Sequence, residues 1–207
     1  MESALYSGRR NRENGKKLPC SKRLFDVVLA SIGLVLAFPL MGLVAAFIVV
    51  TTGDTPLFWT KRVGLHNILF DMPKFRTMRA KTPQIATHLM ADPNLYLTPI
   101  GRFLRQTSLD ELPQLWSVLK GDMSLVGPRP ALFNQDDLVA LRTEAGVHEL
   151  VPGITGWAQI NGRDELSVSE KVRFEKEYLQ RCYSLKFDAY ILMLTLVRVF
   201  RKCGVSH

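Results

Sequence analysis

One apolar run dominates the hydrophobic pattern of this chain. Residues 27–50, VVLASIGLVLAFPLMGLVAAFIVV, pass 24 positions without a charge. A run of about 18 or more apolar residues predicts a membrane helix rather than a core helix. Straight, it would measure ~36 Å against a hydrocarbon core of ~30 Å. Pro39 interrupts it, because proline removes one backbone hydrogen bond and crowds the preceding turn. Arms of 12 and 11 residues remain on either side. Cations flank both ends: Lys22 and Arg23 before the run, then Lys61, Arg62, Lys74, Arg76, Arg79 and Lys81 after it. Positive flanks favour the cytoplasmic side. A helix that enters, bends at Pro39 and returns to the same face satisfies all three facts; a tilted, proline-kinked span is the alternative. Arg23 and Asp26 are spaced for an i,i+3 ion pair at the mouth of such a hairpin.

The remaining pattern is of shorter elements. Residues 56–78 read as strands and turns, with Leu57-Phe58-Trp59 and Ile68-Leu69-Phe70 flanking Gly64 in a hairpin. Lys74-Phe75-Arg76 alternates cation, aromatic, cation, which puts both cations on one strand face. They serve there either a ligand or a guarded sheet edge. Residues 80–97 read as a loop with a little helix. Thr98-Pro99-Ile100-Gly101 opens an amphipathic helix carrying Arg105, and a second helix runs from Ser108 to a glycine C-cap at Gly121. Residues 130–150 form a polar, mostly helical surface piece. The stretch 151–163, VPGITGWAQINGR, is turn-rich and reads as a loop with functional potential. A charged amphipathic helix over 167–183 shows solvent a charged face. The last helix, 187–201, contains nine uncharged residues, too few to span a membrane, and suits an interfacial or a core position.

The pattern predicts an α+β, mostly helical fold. It combines an N-terminal proline-broken re-entrant membrane helix hairpin, interfacial amphipathic helices and a small β-hairpin. The division is a basic tail at 1–17, the membrane hairpin at 18–52 and a cytosolic domain at 53–207 packed on the membrane surface.

Composition sharpens this in two places. A 47% hydrophobic fraction excludes disorder, and the net charge of +8 is concentrated near the N-terminus. Residues 1–23 hold seven cations (Arg9, Arg10, Arg12, Lys16, Lys17, Lys22, Arg23) against Glu2 and Glu13. Such a tail suits nucleic acid or anionic lipid. No aromatic residues interleave with it as a base-stacking surface requires, so nucleic acid is discounted and membrane lipid kept. Cys20, Cys182 and Cys203 are scattered and without metal spacing, which fits a reducing compartment.

Candidate chemistry gathers in residues 104–130, LRQTSLDELPQLWSVLKGDMSLVGPRP. Ser108-Leu109-Asp110-Glu111 spells a capping box, and Pro113 is tolerable only where a helix has just begun. Two acids therefore stand at the positive end of a helix. They either cap it, a contribution of ~1 kcal/mol, or act as a phosphoryl nucleophile and divalent-metal ligand. Arg129, stiffened between Pro128 and Pro130, suits bidentate phosphate or carboxylate binding or a structural ion pair.

Together KRLFD with its Pro-broken apolar run, PKFRTM, LRQTSLDELPQLWSVLKGDMSLVGPRP and PGITGWAQINGR resemble the small monotopic phosphoglycosyl transferases of bacteria, over roughly residues 18–205. The resemblance implies transfer of sugar-1-phosphate from a nucleotide-diphosphate sugar, with uridine as the base, to a polyprenol phosphate. It implies Mg²⁺ as cofactor and a covalent aspartyl-phosphosugar intermediate, at the cytoplasmic face of the bacterial inner membrane. On matching positions, Asp110 resembles the nucleophile and a metal ligand, and Glu111 its catalytic partner. Lys74, Arg76, Arg105, Arg129 and Arg163 resemble substrate-binding residues near the phosphates. The chain resembles the catalytic unit of larger relatives, and an oligomer is compatible with it. One departure is Phe38-Pro39 where the family break is often Ser-Pro; Ser31 is too distant to replace that serine.

The rivals to this reading are a non-catalytic membrane-anchored interaction module, a bitopic enzyme with its N-terminus outside, and a soluble nucleic-acid binder. The hairpin predicts that single cysteines within residues 1–20 stay unlabelled by an impermeant maleimide in intact cells and label after lysis. Labelling from outside refutes it.

Overall fold

The computed structural model describes residues 18–79, 82, 93–162, 165–181 and 183–201. The basic tail, Lys81, Arg163, Cys182, Cys203 and most of the loop expected at 80–97 lie outside these. Within them, Pro93–Tyr96 forms a 3-10 turn, and Leu97 pairs with Met78 as an isolated antiparallel bridge.

Helix α1 covers Cys20–Thr52 and is assigned without interruption across Pro39. Gly53, at φ 70°, caps it by donating to the Val49 carbonyl. This is the left-handed turn that glycine takes without a Cβ penalty. The helix has the length and apolarity to cross a membrane, and only 11% of its most apolar window is buried. Phe38 is 75% exposed, and Val35, Leu36, Leu43 and Val50 are also widely open. A helix fitting a membrane anchor looks like this; a core helix does not. Both halves nevertheless touch the same body. Ala30 joins the main core with Met72, Val118, Val126 and Ile191, while Val44 and Ile48 pack on Phe75 and Leu104.

Strands β1 (Leu57–Val63) and β2 (Leu69–Phe75) form the expected antiparallel hairpin, in the register Leu57↔Phe75 to Val63↔Leu69. Helix α2 spans Gly101–Thr107 and α3 spans Gln114–Lys120, closed by Gly121 at φ 98°. Strand β3 (Ser124–Val126) then pairs in parallel with β4 (Gly153–Thr155), across helix α4 (Asp136–Glu144). Short helix α5 (Trp157–Ile160), α6 (Val168–Gln180) and α7 (Leu185–Arg201) complete the chain. The mostly helical α+β expectation is met in this coarse form.

Three expectations need correction. The stretch 151–163 holds the buried strand β4 and is not merely a loop. It is recruited because Gly153 and Gly156 let its main chain lie directly on that of Gly127. A Cβ on Gly153 would stand 2.1 Å from the Gly127 nitrogen, and one on Gly156 2.1 Å from the Gly127 oxygen. The α6 charges are not all solvated: Glu175 is buried and receives both Nε and Nη2 of Arg142 on α4. Arg23 does not pair with Asp26. Its guanidinium donates to the Val118 and Leu119 carbonyls at 2.6 Å each, satisfying the open C-terminal end of α3.

Asp26 instead faces inward. Lys22 Nζ lies 2.8 Å from Asp26 Oδ1 and 3.0 Å from Asp188 Oδ2, and all three side chains are fully buried. Ser124 Oγ donates to Asp26 Oδ2 at 2.7 Å, and the Tyr178 hydroxyl to Asp188 Oδ1 at 2.9 Å. Burial pushes the Asp188 carboxyl up, against the pull of Lys22 and its hydrogen bonds. The root of α1 is thus keyed to β3, α6 and α7. On α7, Asp188 and Ile191 are buried while Tyr190, Met193, Leu196 and Val199 are exposed, so the helix is at once core and surface.

Gly153→Ala tests the backbone seam. Forcing a methyl group against main chain costs about 1–3 kcal/mol or more, a fall in Tm of roughly 5 °C at this chain length. Gly42→Ala meets nothing within 4 Å and should leave Tm in place. Thermal unfolding in detergent compares the two.

Candidate active site

The acid pair sits in a single 3-10 turn, Leu109–Glu111, between α2 and α3. Ser108 enters it at φ 58°, a left-handed conformation, and its side chain caps nothing. The capping box predicted over 108–111 is therefore not formed. α3 begins only after Pro113, and Glu111 is engaged elsewhere. The tight turn aims successive side chains in different directions. Leu109 packs with Val44, Ile48, Phe75 and Leu104, so it touches the apolar helix. Asp110 is only 7% exposed.

Glu111 accepts from both Nη1 and Nη2 of Arg129, the former at 3.4 Å, and from Lys74 Nζ at 3.3 Å. A guanidinium reaching both carboxylate oxygens is the fork geometry that arginine favours. Lys74 arrives from β2, 37 positions away, and Arg129 from the turn after β3. Arg105, on α2, donates from Nε to Thr77 Oγ1 at 3.1 Å, and its charge acts on Asp110.

The electrostatics are opposed. Burial raises the Asp110 carboxyl; Lys74, Arg129 and Arg105 pull it down, and Glu111 pushes it further up. Burial prevails, so the ionised form at neutral pH is a cost to folding. Burial also lowers Lys74 and Arg105, with Glu111 and Asp110 respectively opposing it.

Lys74, Arg105, Arg129, Asp110 and Glu111 are therefore brought together. Arg76 is turned to other partners: its Nε donates to the Thr55 carbonyl and Nη2 to Thr55 Oγ1, both at 2.8 Å, and it lies over the Phe58 ring. Arg163 is outside the described residues. Sequence reasoning overlooked Arg62, which stands beside Arg129 and Glu111 and donates from Nη1 to the Pro130 carbonyl at 3.3 Å. The signal was the period-two burial of β1, in which Trp59 and Lys61 face out while Thr60 and Arg62 face in.

Among the described residues no group of three or more His, Cys, Asp or Glu gathers to hold a metal. The donor set here is two carboxylates. That fits a magnesium ion, which is bound by one or two carboxylates and completed by water and substrate phosphates.

A buried carboxylate pair among cations, beside an apolar anchor helix, suits handling of a phosphate-bearing ligand at a membrane. The family description "bacterial sugar transferase" matches residues 17–202. An uncharacterised sugar transferase of Bacillus subtilis, EpsL, is 41% identical over 188 residues, 90% of each chain. The exopolysaccharide production protein ExoY of Rhizobium meliloti is 35% identical over 196 residues, 86% of this chain and 85% of its own. The UDP-glucose:undecaprenyl-phosphate glucose-1-phosphate transferase of Escherichia coli is 38% identical over 188 residues. That match takes in 86% of this chain but 40% of the larger relative. The chain belongs to the bacterial sugar transferase family. It is an enzyme, a phosphoglycosyl transferase.

A double-mutant cycle tests the Glu111 clamp. Lys74→Met and Glu111→Leu should each lower thermal stability, and together fall short of additivity by about 1 kcal/mol. Additive losses would show that the pair does not interact.

Proposed function

We propose that this enzyme moves sugar-1-phosphate from a UDP-sugar to a polyprenol phosphate, through a phosphosugar carried on Asp110. One observation carries the reading: Asp110 is buried within a ring of cations while its neighbour Leu109 packs on the apolar helix. That suits a nucleophile that must meet a soluble donor and a lipid-borne acceptor in turn.

In the first half-reaction an Asp110 carboxylate oxygen attacks the phosphorus that bears the sugar. The bond from that phosphorus to the bridging oxygen breaks, and the nucleoside monophosphate leaves with the electron pair. In the second, a phosphate oxygen of the polyprenol phosphate attacks the same phosphorus and releases Asp110. The product is a polyprenol diphosphate sugar. Splitting the transfer lets both substrates use one carboxylate.

Lys74, Arg105 and Arg129 hold the donor's phosphates. Positioning and charge neutralisation are the main protein contribution to such transfers. Glu111 keeps Arg129 and Lys74 in place and stays available for proton handling. Asp110, aided by Glu111, would hold Mg²⁺, which supplies charge neutralisation for the diphosphate. Arg76 and Arg163 are kept as further substrate contacts on their sequence motifs alone.

The anchor we infer is a re-entrant hairpin bent at Pro39, lying in the cytoplasmic leaflet of the bacterial inner membrane, with residues 53–207 as the cytosolic domain. Contact of both α1 halves with one body supports this. An upright crossing would carry one half ~20 Å or more away from that body.

Purified enzyme given UDP-sugars, undecaprenyl phosphate and Mg²⁺ should release UMP, and Asp110→Asn should remove this while keeping the fold. Acid quenching with labelled donor should mark the peptide containing residue 110; product without that mark refutes the covalent route. The raised carboxyl also sets a pH profile. Below its folded pKa Asp110 is protonated and cannot attack, so kcat/KM falls on the acid side, with its midpoint above the ordinary aspartate value of about 4.

A further inference from the structure

We propose that Arg62 is a positioning residue of the transfer site. It sets the Pro128-Arg129-Pro130 loop and adds a fourth cation behind Arg129, tuning the site to a ligand bearing two phosphate charges. The proposal rests on the transfer reading above for its ligand, and on independent geometry for the residue.

The end of β1 is stitched to that loop three times. Val63 N–H donates to the Ala131 carbonyl at 3.0 Å, Arg62 pairs with Leu132 as an antiparallel bridge, and Arg62 Nη1 reaches the Pro130 carbonyl. Two of these contacts are main chain to main chain. Any uncharged residue could keep them, so they do not explain an arginine.

The charge is what needs explaining. Arg62 Nε is shut off from solvent and makes no hydrogen bond among the described residues. The charges that act on it are Arg129, which repels it, and Glu111, which is shared by Arg129 and Lys74. Burial and Arg129 together bring its pKa down to about 10. A half-buried guanidinium with one nitrogen shut off and unbonded, beside a second guanidinium, is costly to keep.

Among the described residues, the charges of Arg62, Lys74, Arg105 and Arg129 converge on Asp110 and Glu111. The site is thus rich in cations around its two acids. A diphosphate brings the matching negative charge into low dielectric, where it is strongest. With Nε shut off from solvent and Nη1 given to the Pro130 carbonyl, Arg62 acts through Arg129 and the field rather than by gripping the ligand.

Inorganic pyrophosphate is the probe, titrated calorimetrically into the full chain in lipid nanodiscs. Arg62→Gln retains a donor for Pro130 but loses the charge; Arg62→Lys retains the charge but loses the fork. Expected are about a tenfold weaker pyrophosphate affinity for R62Q, a parallel rise in donor KM with kcat held within about threefold, and near-native affinity for R62K. Equal affinity across the three proteins overturns the proposal. So does a fall in kcat alone, or loss of helical circular dichroism in R62Q, which would assign Arg62 to structure only. Wild-type enzyme that binds pyrophosphate yet turns over no nucleotide sugar refutes the transfer reading and leaves Arg62's charge role standing.

Discussion

A buried ammonium group keys the apolar helix to the rest of this protein. Lys22 lies between Asp26, one turn along α1, and Asp188 on α7, with no exposure to water. Buried ion pairs seldom add net stability over an apolar contact, because desolvation offsets the attraction. They do discriminate among arrangements, since any other docking of α1 takes Lys22 away from Asp188 and Asp26 away from Ser124. The hydroxyls of Ser124 and Tyr178 complete the arrangement. With the Arg23 contacts and the apolar packing of both halves, it sets where α1 sits.

Glu111 plays the corresponding part inside the site. It draws together a strand lysine and a loop arginine that are far apart in sequence, which leaves Asp110 the more suited to attack. The two neighbours in the turn divide their labour by environment. One is neutralised by close partners; the other is buried in a positive field and held in check by desolvation. Paired acids with separated roles are a common outcome of such contrasts.

Much of this was legible in the sequence, and the gaps share a cause. The apolar run, the hairpin about Gly64, the glycine stop of α3 and the cations Lys74, Arg105 and Arg129 all lie in local patterns or motifs. What failed were readings that paired near neighbours. Ser108 with Glu111 and Arg23 with Asp26 have ideal local spacing, yet Glu111 and Arg23 are claimed by Arg129 and by the α3 carbonyls from across the fold. Strand β4 was hidden for the same reason, because a three-residue parallel strand has no periodicity to detect and depends on Gly127, 26 positions upstream of Gly153. Arg62 looked like one of several flanking cations until β1 turned it inward.

The seam between Gly127 and β4 has a wider consequence. Arg129 leaves the body two residues after a place where peptide units touch with no side chain between them. Such a joint has no rotamers to repack and no methyl groups to trim, so mutation can break it but hardly adjust it. The guanidinium therefore hangs from a joint that substitution cannot retune in small steps.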